Sequence, residues 1–262
     1  MAYQRFSLFP DSPSFKDLFS ARSLRYRWRN GDPVITTAIM AICIVVWAIE
    51  AVLFLVWPEG GNAFVNAGML LPATAVRHPW TFITSMFLHQ PTSLWHILFN
   101  MLTLWCVGPV LERMMGHWPY LALYVLSGLG GGAGLMVWAV CSPSGWMTAA
   151  YGASGALFGL FAAILVVYRR IGIDIRSMLI WMLINFLMPV ITPGIAWQAH
   201  VGGFIVGGVL AWLLVTGLHA FRSKSLTWRT TVYGITVFVV VVAIIVGCNA
   251  GNPLMHMSLL YQ

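Results

Sequence analysis

Seven apolar stretches, roughly 34–57, 93–111, 119–141, 151–168, 178–192, 197–217 and 230–248, each run close to the ~20 residues an α-helix needs to cross a ~30 Å hydrocarbon core, with 178–192 on the short side. Inside a bilayer no water satisfies backbone amides and carbonyls, so spans of this length are restricted to helices that bond internally. Composition points the same way. The chain is 60% hydrophobic and 8% charged, whereas a soluble domain carries about a quarter charged residues. The expected fold is an all-α membrane protein with seven helices.

The basic residues predict an orientation. With the N-terminus in the cytoplasm, the inside segments hold Arg5, Lys16, Arg22, Arg25, Arg27 and Arg29, then Arg113, then Arg169, Arg170 and Arg176, then Arg222, Lys224 and Arg229. Only Arg77 of the 14 Lys and Arg remains outside, as the positive-inside rule asks of seven spans with this parity. The net charge of +7 is thus a topology signal with a contact to anionic lipid as its corollary, and no nucleic acid need be invoked. Residues 1–33 lack the apolar run of a signal peptide, so the first span is expected to serve as an uncleaved insertion signal. The tail, with Pro10, Pro13 and clustered Arg, reads as a short cytoplasmic extension. Cys43, Cys106, Cys141 and Cys248 have no metal-ligand spacing and read as apolar packing residues; Cys141 and Cys248 fall near outer helix ends, where a disulfide is open. Gly128-Leu129-Gly130-Gly131-Gly132-Ala133 fits a loose dinucleotide pattern, but it has no preceding strand and lies within a span. Close helix packing through small residues is the better account.

Four polar side chains fall in one layer. The second, fourth and sixth spans all run from outside to inside, and near their starts lie His96 and Asn100, Ser154, and His200. Polar groups at such depth tend to face a bundle interior or a wet cavity. His96 and Asn100 are four apart, so they share a helix face and can present N–H donors to one point. Ser154 sits in a first helical turn, where unpaired backbone N–H groups and the helix dipole favour a developing oxyanion. Phe158, one turn on, is placed to pack against an imidazole. Gly203 and Gly207 follow His200 at spacings of three and seven and leave a groove that admits the fourth helix. Each feature alone also suits a packing serine, a helix-bridging histidine or a transporter's polar site. Their joint placement at one depth favours chemistry. His78, His89, His117, His219 and His256 fall in loops or near helix ends and are assigned no catalytic role.

On these residues the chain resembles the rhomboid family of intramembrane serine proteases. The matches are Gly152-x-Ser154-Gly155, Ala199-His200-x-x-Gly203-x-x-x-Gly207, His96-x-x-x-Asn100 and Gly108-x-x-x-Glu112-x-x-x-Gly116, in the family's order, covering about 34–217. The resemblance implies a six-helix catalytic bundle at 34–217 after a tail at 1–33. A basic linker, a seventh helix and an outer tail make up 218–262. It implies Ser154 as nucleophile and His200 as general base and then acid. The oxyanion site would comprise His96, Asn100 and the Ser154 N–H. Gly152 would shape the turn admitting the substrate carbonyl, and Glu112 would tie the inner end of the second helix to neighbouring loops. No metal or cofactor is implied. The expected partners are single-span or other transmembrane substrates in the lipid bilayer, cut near their outer ends. Substrates would enter laterally past the short fifth helix, with Pro189–Gly194 as a cap. A compact chain of this kind favours a bacterial cytoplasmic membrane.

Two departures stand out. Where the family often has Trp-Arg in the loop 58–92, this chain has Trp80-Thr81, and Phe158 stands where some members carry Tyr. The rival readings are a non-catalytic rhomboid-like binder of membrane helices, which needs neither Ser154 nor His200, and a transporter, for which internal repeats are wanting and the span acids are only Glu50 and Glu112, near span ends.

Overall fold

A computed structural model describes residues 20–191 and 195–255. Among these, α1 (Ala21–Arg29) precedes the first span, α2 (Val34–Val56). Then come α3 (Pro58–Gly68), the single turn α4 (Thr81–Thr84), α5 (Leu94–Met115), α6 (His117–Cys141), α7 (Ser154–Ile171), α8 (Arg176–Ile191), α9 (Trp197–Val215) and α10 (Leu226–Asn249). Short 3₁₀ turns lie at Pro143–Met147 and His219–Phe221. No strand occurs among the described residues beyond one isolated bridge between Leu70 and Ala150. Six helices, α2, α5, α6, α7, α9 and α10, are long and apolar enough to cross a membrane. The expected fifth span, α8, has only 16 residues, about 24 Å at 1.5 Å per residue. The chain is a multi-pass, all-α membrane protein; among the described residues it has six helices long enough to span and, in α8, a shorter apolar one. The cap expected at Pro189–Gly194 lies partly in α8, which continues through Ile191, and residues 192–194 lie outside the described residues.

The centre of the bundle is α6. In its apolar window 67% of residues are buried inside the protein, against 17% for α2 and 28% for α10, so those two helices present most of their surface outward to lipid. The glycine run in α6 is what allows this density. A Cβ at Gly130 or Gly134 would overlap Val206, Gly202 or Gln198 of α9, and one at Gly132 would meet Phe82 of α4. The loose dinucleotide pattern is therefore a helix-packing surface.

One end of the bundle is tied by Glu112. Its carboxylate, 1% exposed, accepts the N–H of Ile35 at 2.8 Å and both the N–H and Oγ1–H of Thr36 at 2.7 Å. These are first-turn amides of α2 that no residue of that helix can satisfy. His117 Nδ1 adds a 2.6 Å contact to the same carboxylate, and its Nε2 meets the Trp28 carbonyl of α1 at 2.9 Å. Gly116 makes the α5–α6 turn at φ +84°, a conformation that favours glycine.

At the opposite end, residues 58–92 fold over the bundle. Trp80 Nε1 donates to the Ala67 carbonyl at 3.0 Å and Thr84 Oγ1 to Gly68 at 2.8 Å, tying α4 to α3. Thr81, which follows Trp80, is buried and donates to the His78 carbonyl at 2.7 Å. The segment closes on the strand-like stretch before α7 through Leu70 and Ala150, which exchange both backbone bonds at 2.8–2.9 Å. All four cysteines carry free thiols, Cys141 and Cys248 included, so the open disulfide is not formed.

Candidate active site

Ser154 is the first residue of α7, and His200 lies in the first turn of α9. The structure brings them together: Ser154 Oγ and His200 Nε2 are 2.8 Å apart. Close approach of the two helices makes this possible. A Cβ on Gly203 would overlap the Gly155 carbonyl, and one on Gly207 would overlap the Gly159 backbone, so bare backbone meets bare backbone directly below the pair. Gly131 of α6 completes the contact, facing Gly155 and the Ala199 carbonyl.

His200 is buried and stacks on Phe158, with ring centroids 4.3 Å apart and planes at 18°. Phe158 in turn meets Phe186 of α8 edge-on at 4.3 Å. Among the described residues Nδ1 of His200 has no hydrogen-bond partner. Its ring is oriented by aromatic packing on Phe158, and no carboxylate among the described residues hydrogen-bonds to it.

The stretch before Ser154 is shaped by Gly152, whose φ of +128° is strained for any side chain. Its N–H donates to the Ser85 carbonyl at 2.8 Å. The space that a side chain at 152 would fill is left open, and it faces two groups. A Cβ there would stand 2.9 Å from His96 Nε2 and 3.8 Å from Ser154 Oγ. His96, near the start of α5, therefore aims Nε2 at the same small volume as the serine. Its other nitrogen, Nδ1, accepts the backbone N–H of Gln90 at 3.1 Å. A backbone N–H can only donate, so the neutral ring carries its proton on Nε2, facing that volume.

Asn100 is one turn below His96 and buried; its Nδ2 donates to the His96 carbonyl at 2.7 Å. One N–H of that amide is committed to its own helix and the second remains. His96, Asn100, Ser154 and His200 all line a cavity of about 510 Å³, together with Trp181 and Asn185 of α8. Ser154 and His96 are partly exposed to it. No group of three or more His, Cys, Asp or Glu among the described residues is arranged to hold a metal.

Residues that sequence reasoning left aside also surround the site. His89 is fully buried, its ring centroid 5.2 Å from that of His96. Burial first, and the neighbouring His96 second, push its pKa down to about 3, so the imidazole is neutral. Tyr151 meets the His96 ring edge-on at 6.2 Å. The signals for both were weak, a lone histidine and a lone tyrosine in an irregular loop. His78 pairs with Trp80 and His117 with Glu112, far from the cavity in the sequence pattern and in their contacts. His256 lies outside the described residues.

Comparison with known proteins bears on the whole constellation. The chain is 32% identical over 189 residues to the YdcA protein of Bacillus subtilis, which takes in 69% of this chain and 88% of YdcA. It is 30% identical over 199 residues to the rhomboid protease GluP of the same organism, covering 70% of this chain and 35% of that protein. Over 202 residues it is 27% identical to the rhomboid protease GlpG of Serratia proteamaculans, covering 68% and 61% respectively. The Rhomboid domain model matches residues 76–217, a stretch that holds His96, Asn100, Ser154 and His200. That match spans more than half the chain, and with the YdcA likeness it makes this protein a member of the rhomboid family.

Proposed function

We infer that this rhomboid-family serine protease hydrolyses peptide bonds in or near the outer end of a partner's transmembrane helix, using Ser154 and His200 as a catalytic dyad. The observation that carries the reading is the 2.8 Å hydrogen bond between Ser154 Oγ and His200 Nε2 inside a cavity that opens beside Gly152. With Nε2 accepting from the serine, His200 holds its own proton on Nδ1 and is ready to act as base.

Attack by Ser154 Oγ on the scissile carbonyl passes the hydroxyl proton to His200 Nε2. The carbonyl oxygen becomes an oxyanion in the volume bounded by Gly152 and His96. There His96 Nε2–H, the free N–H of Asn100 and the first-turn amides of α7 supply donors that need no reorganisation. His200 then protonates the leaving amine, which departs, and next takes a proton from water as the water attacks the acyl-serine. His200 finally returns that proton to Ser154, restoring the resting pair. Phe158 keeps the imidazole plane fixed through these transfers.

The substrate must arrive unwound, because a helical carbonyl is hydrogen-bonded and covered; Gly, Pro or Ser near the cut should therefore help. Entry from the bilayer past α8 is supported by the shortness of that helix and by its Trp181 and Asn185 on the cavity wall. The distribution of Lys and Arg supports a cytoplasmic N-terminus, a site in the outer leaflet and a C-terminus outside, and the compact chain favours a bacterial cytoplasmic membrane. On this reading the catalytic unit is 34–217, preceded by a cytoplasmic tail at 1–33 and followed by the linker, seventh helix and outer tail at 218–262. Incubating purified protein with a panel of single-span proteins, with Ser154→Ala as blank and mass spectrometry of products, tests the reaction. Cuts present only with the wild type, near outer helix ends, are expected. An unchanged panel, or cuts confined to soluble segments, would contradict it.

A further inference from the structure

His96 is held in a particular tautomer by a hydrogen bond from a loop, and that loop is gripped from a third helix. Trp47 and Glu50 are three apart on α2 and so share a face. Trp47 Nε1 donates to the Gln90 carbonyl at 3.3 Å, and Glu50 Oε2 accepts the His89 N–H at 3.0 Å. These two contacts bracket the His89–Gln90 peptide, whose own N–H is the one that donates to His96 Nδ1 at 3.1 Å.

Glu50 is 0% exposed and lies in a membrane-spanning helix, where an acidic side chain is expensive and a functional reason is the default expectation. Its Oε1 has no hydrogen-bond partner among the described residues, so the His89 N–H is its one hydrogen-bond contact there. The reaction itself makes no use of it. His89, whose backbone Glu50 holds, turns its ring inward with Nδ1 against the Phe87 carbonyl at 3.2 Å.

We propose that Glu50 and Trp47 are positioning residues for the oxyanion site: they clamp the His89–Gln90 segment so that the Gln90 N–H holds His96 Nδ1 and leaves the imidazole proton on Nε2, facing the reacting carbonyl. This rests on His96 being an oxyanion donor. A neutral imidazole has two tautomers, and only one puts an N–H toward Ser154. With the clamp loosened, the Gln90 N–H withdraws and His96 populates the tautomer whose bare Nε2 lone pair faces the oxyanion. Turnover then falls by the fraction of enzyme lost to that tautomer and by weaker alignment of the rest. Loss of a main oxyanion donor costs about 10²- to 10³-fold, and loss of its positioning should cost less, about tenfold.

The test uses the full chain in detergent micelles or lipid nanodiscs, ¹⁵N-labelled at histidine, with His96 assigned from the signal lost in His96→Gln. In the wild type the ¹⁵N shifts should report Nε2–H as the single tautomer of His96. Glu50→Ala should show a tautomer mixture and a kcat about tenfold lower at unchanged KM. Glu50→Gln, whose amide oxygen can still accept the His89 N–H, should restore both. Trp47→Phe keeps the ring and removes the N–H donor; it should give a smaller shift in the same direction, and it stands in if Glu50→Ala does not fold. An Nε2–H tautomer and a kcat unchanged in Glu50→Ala and in Trp47→Phe would overturn the clamp, as would loss of activity in Glu50→Gln equal to that in Glu50→Ala. Cleavage at near wild-type rate in Ser154→Ala or His96→Ala would instead refute the dyad or the oxyanion role, and the imidazole shifts would still decide whether the clamp sets the tautomer.

Discussion

Asn100 gives one side-chain N–H to the His96 carbonyl, while His96 turns Nε2 toward the gap beside Gly152. The two donors therefore should not weigh equally. His96→Ala is expected to lower kcat by about 10²- to 10³-fold, the usual loss for a principal oxyanion donor, and Asn100→Ala by about tenfold to a hundredfold. Steady-state kinetics on one transmembrane substrate ranks them; the reverse order would assign the main oxyanion contact to Asn100. A second consequence concerns acid stability. His89 is neutral in the fold with its pKa depressed from 6.5 to about 3, so the unfolded chain binds a proton that the folded chain refuses. Stability contributed by this site is present above about pH 6.5 and drains away as the pH falls toward 3. Melting of the solubilised protein should therefore drop through that window, and more shallowly in His89→Gln. Parallel curves for the two proteins would show that another group sets the acid limit.

At the scale of elements, the meeting of α7 and α9 decides whether Ser154 reaches His200. Gly203→Val or Gly207→Val forces a branched side chain into the Gly155 carbonyl or the Gly159 backbone, where no flexible side chain can give way. Both variants should melt at lower temperature. A misplacement of about 1 Å is worth roughly a hundredfold in rate, so activity should fall with it, more for Gly203, which is one turn from His200. Wild-type melting and rate in both would mean that the helices do not rely on that contact. Much of this was legible beforehand, because helical periodicity places residues three and four apart on one face and apolar length sets depth. The start of α7 at Ser154 and the small-residue face of α9 follow from such spacing. The grip of Trp47 and Glu50 on the 85–93 loop did not, since that loop has no period and its partners come from a helix some forty residues earlier. Likewise Glu112 was expected to tie α5 to loops, but the sequence carried no sign that it would cap α2 and, through His117, meet Trp28 of α1.

The whole molecule joins two kinds of surface. Helices α2 and α10 keep most of their apolar side chains outward, while α6 carries the buried contacts. Two groups of buried polar side chains stand out, one around Glu112 at one end of the bundle and one around the cavity of about 510 Å³ at the other. Below the cavity the glycines of α6, α7 and α9 pack backbone against backbone, so on the proposed mechanism the cavity is the access of water to Ser154 and His200. On that mechanism the serine's reactivity depends on a single partner, His200. The most direct measurement is the rate at which a fluorophosphonate probe labels the purified protein, with the modified residue identified by peptide mapping. One adduct, on Ser154, is predicted, absent in Ser154→Ala and formed at least about 10³-fold more slowly in His200→Ala, as nucleophile and base act as a unit. An adduct on another residue, or an unchanged labelling rate in His200→Ala, would contradict the dyad.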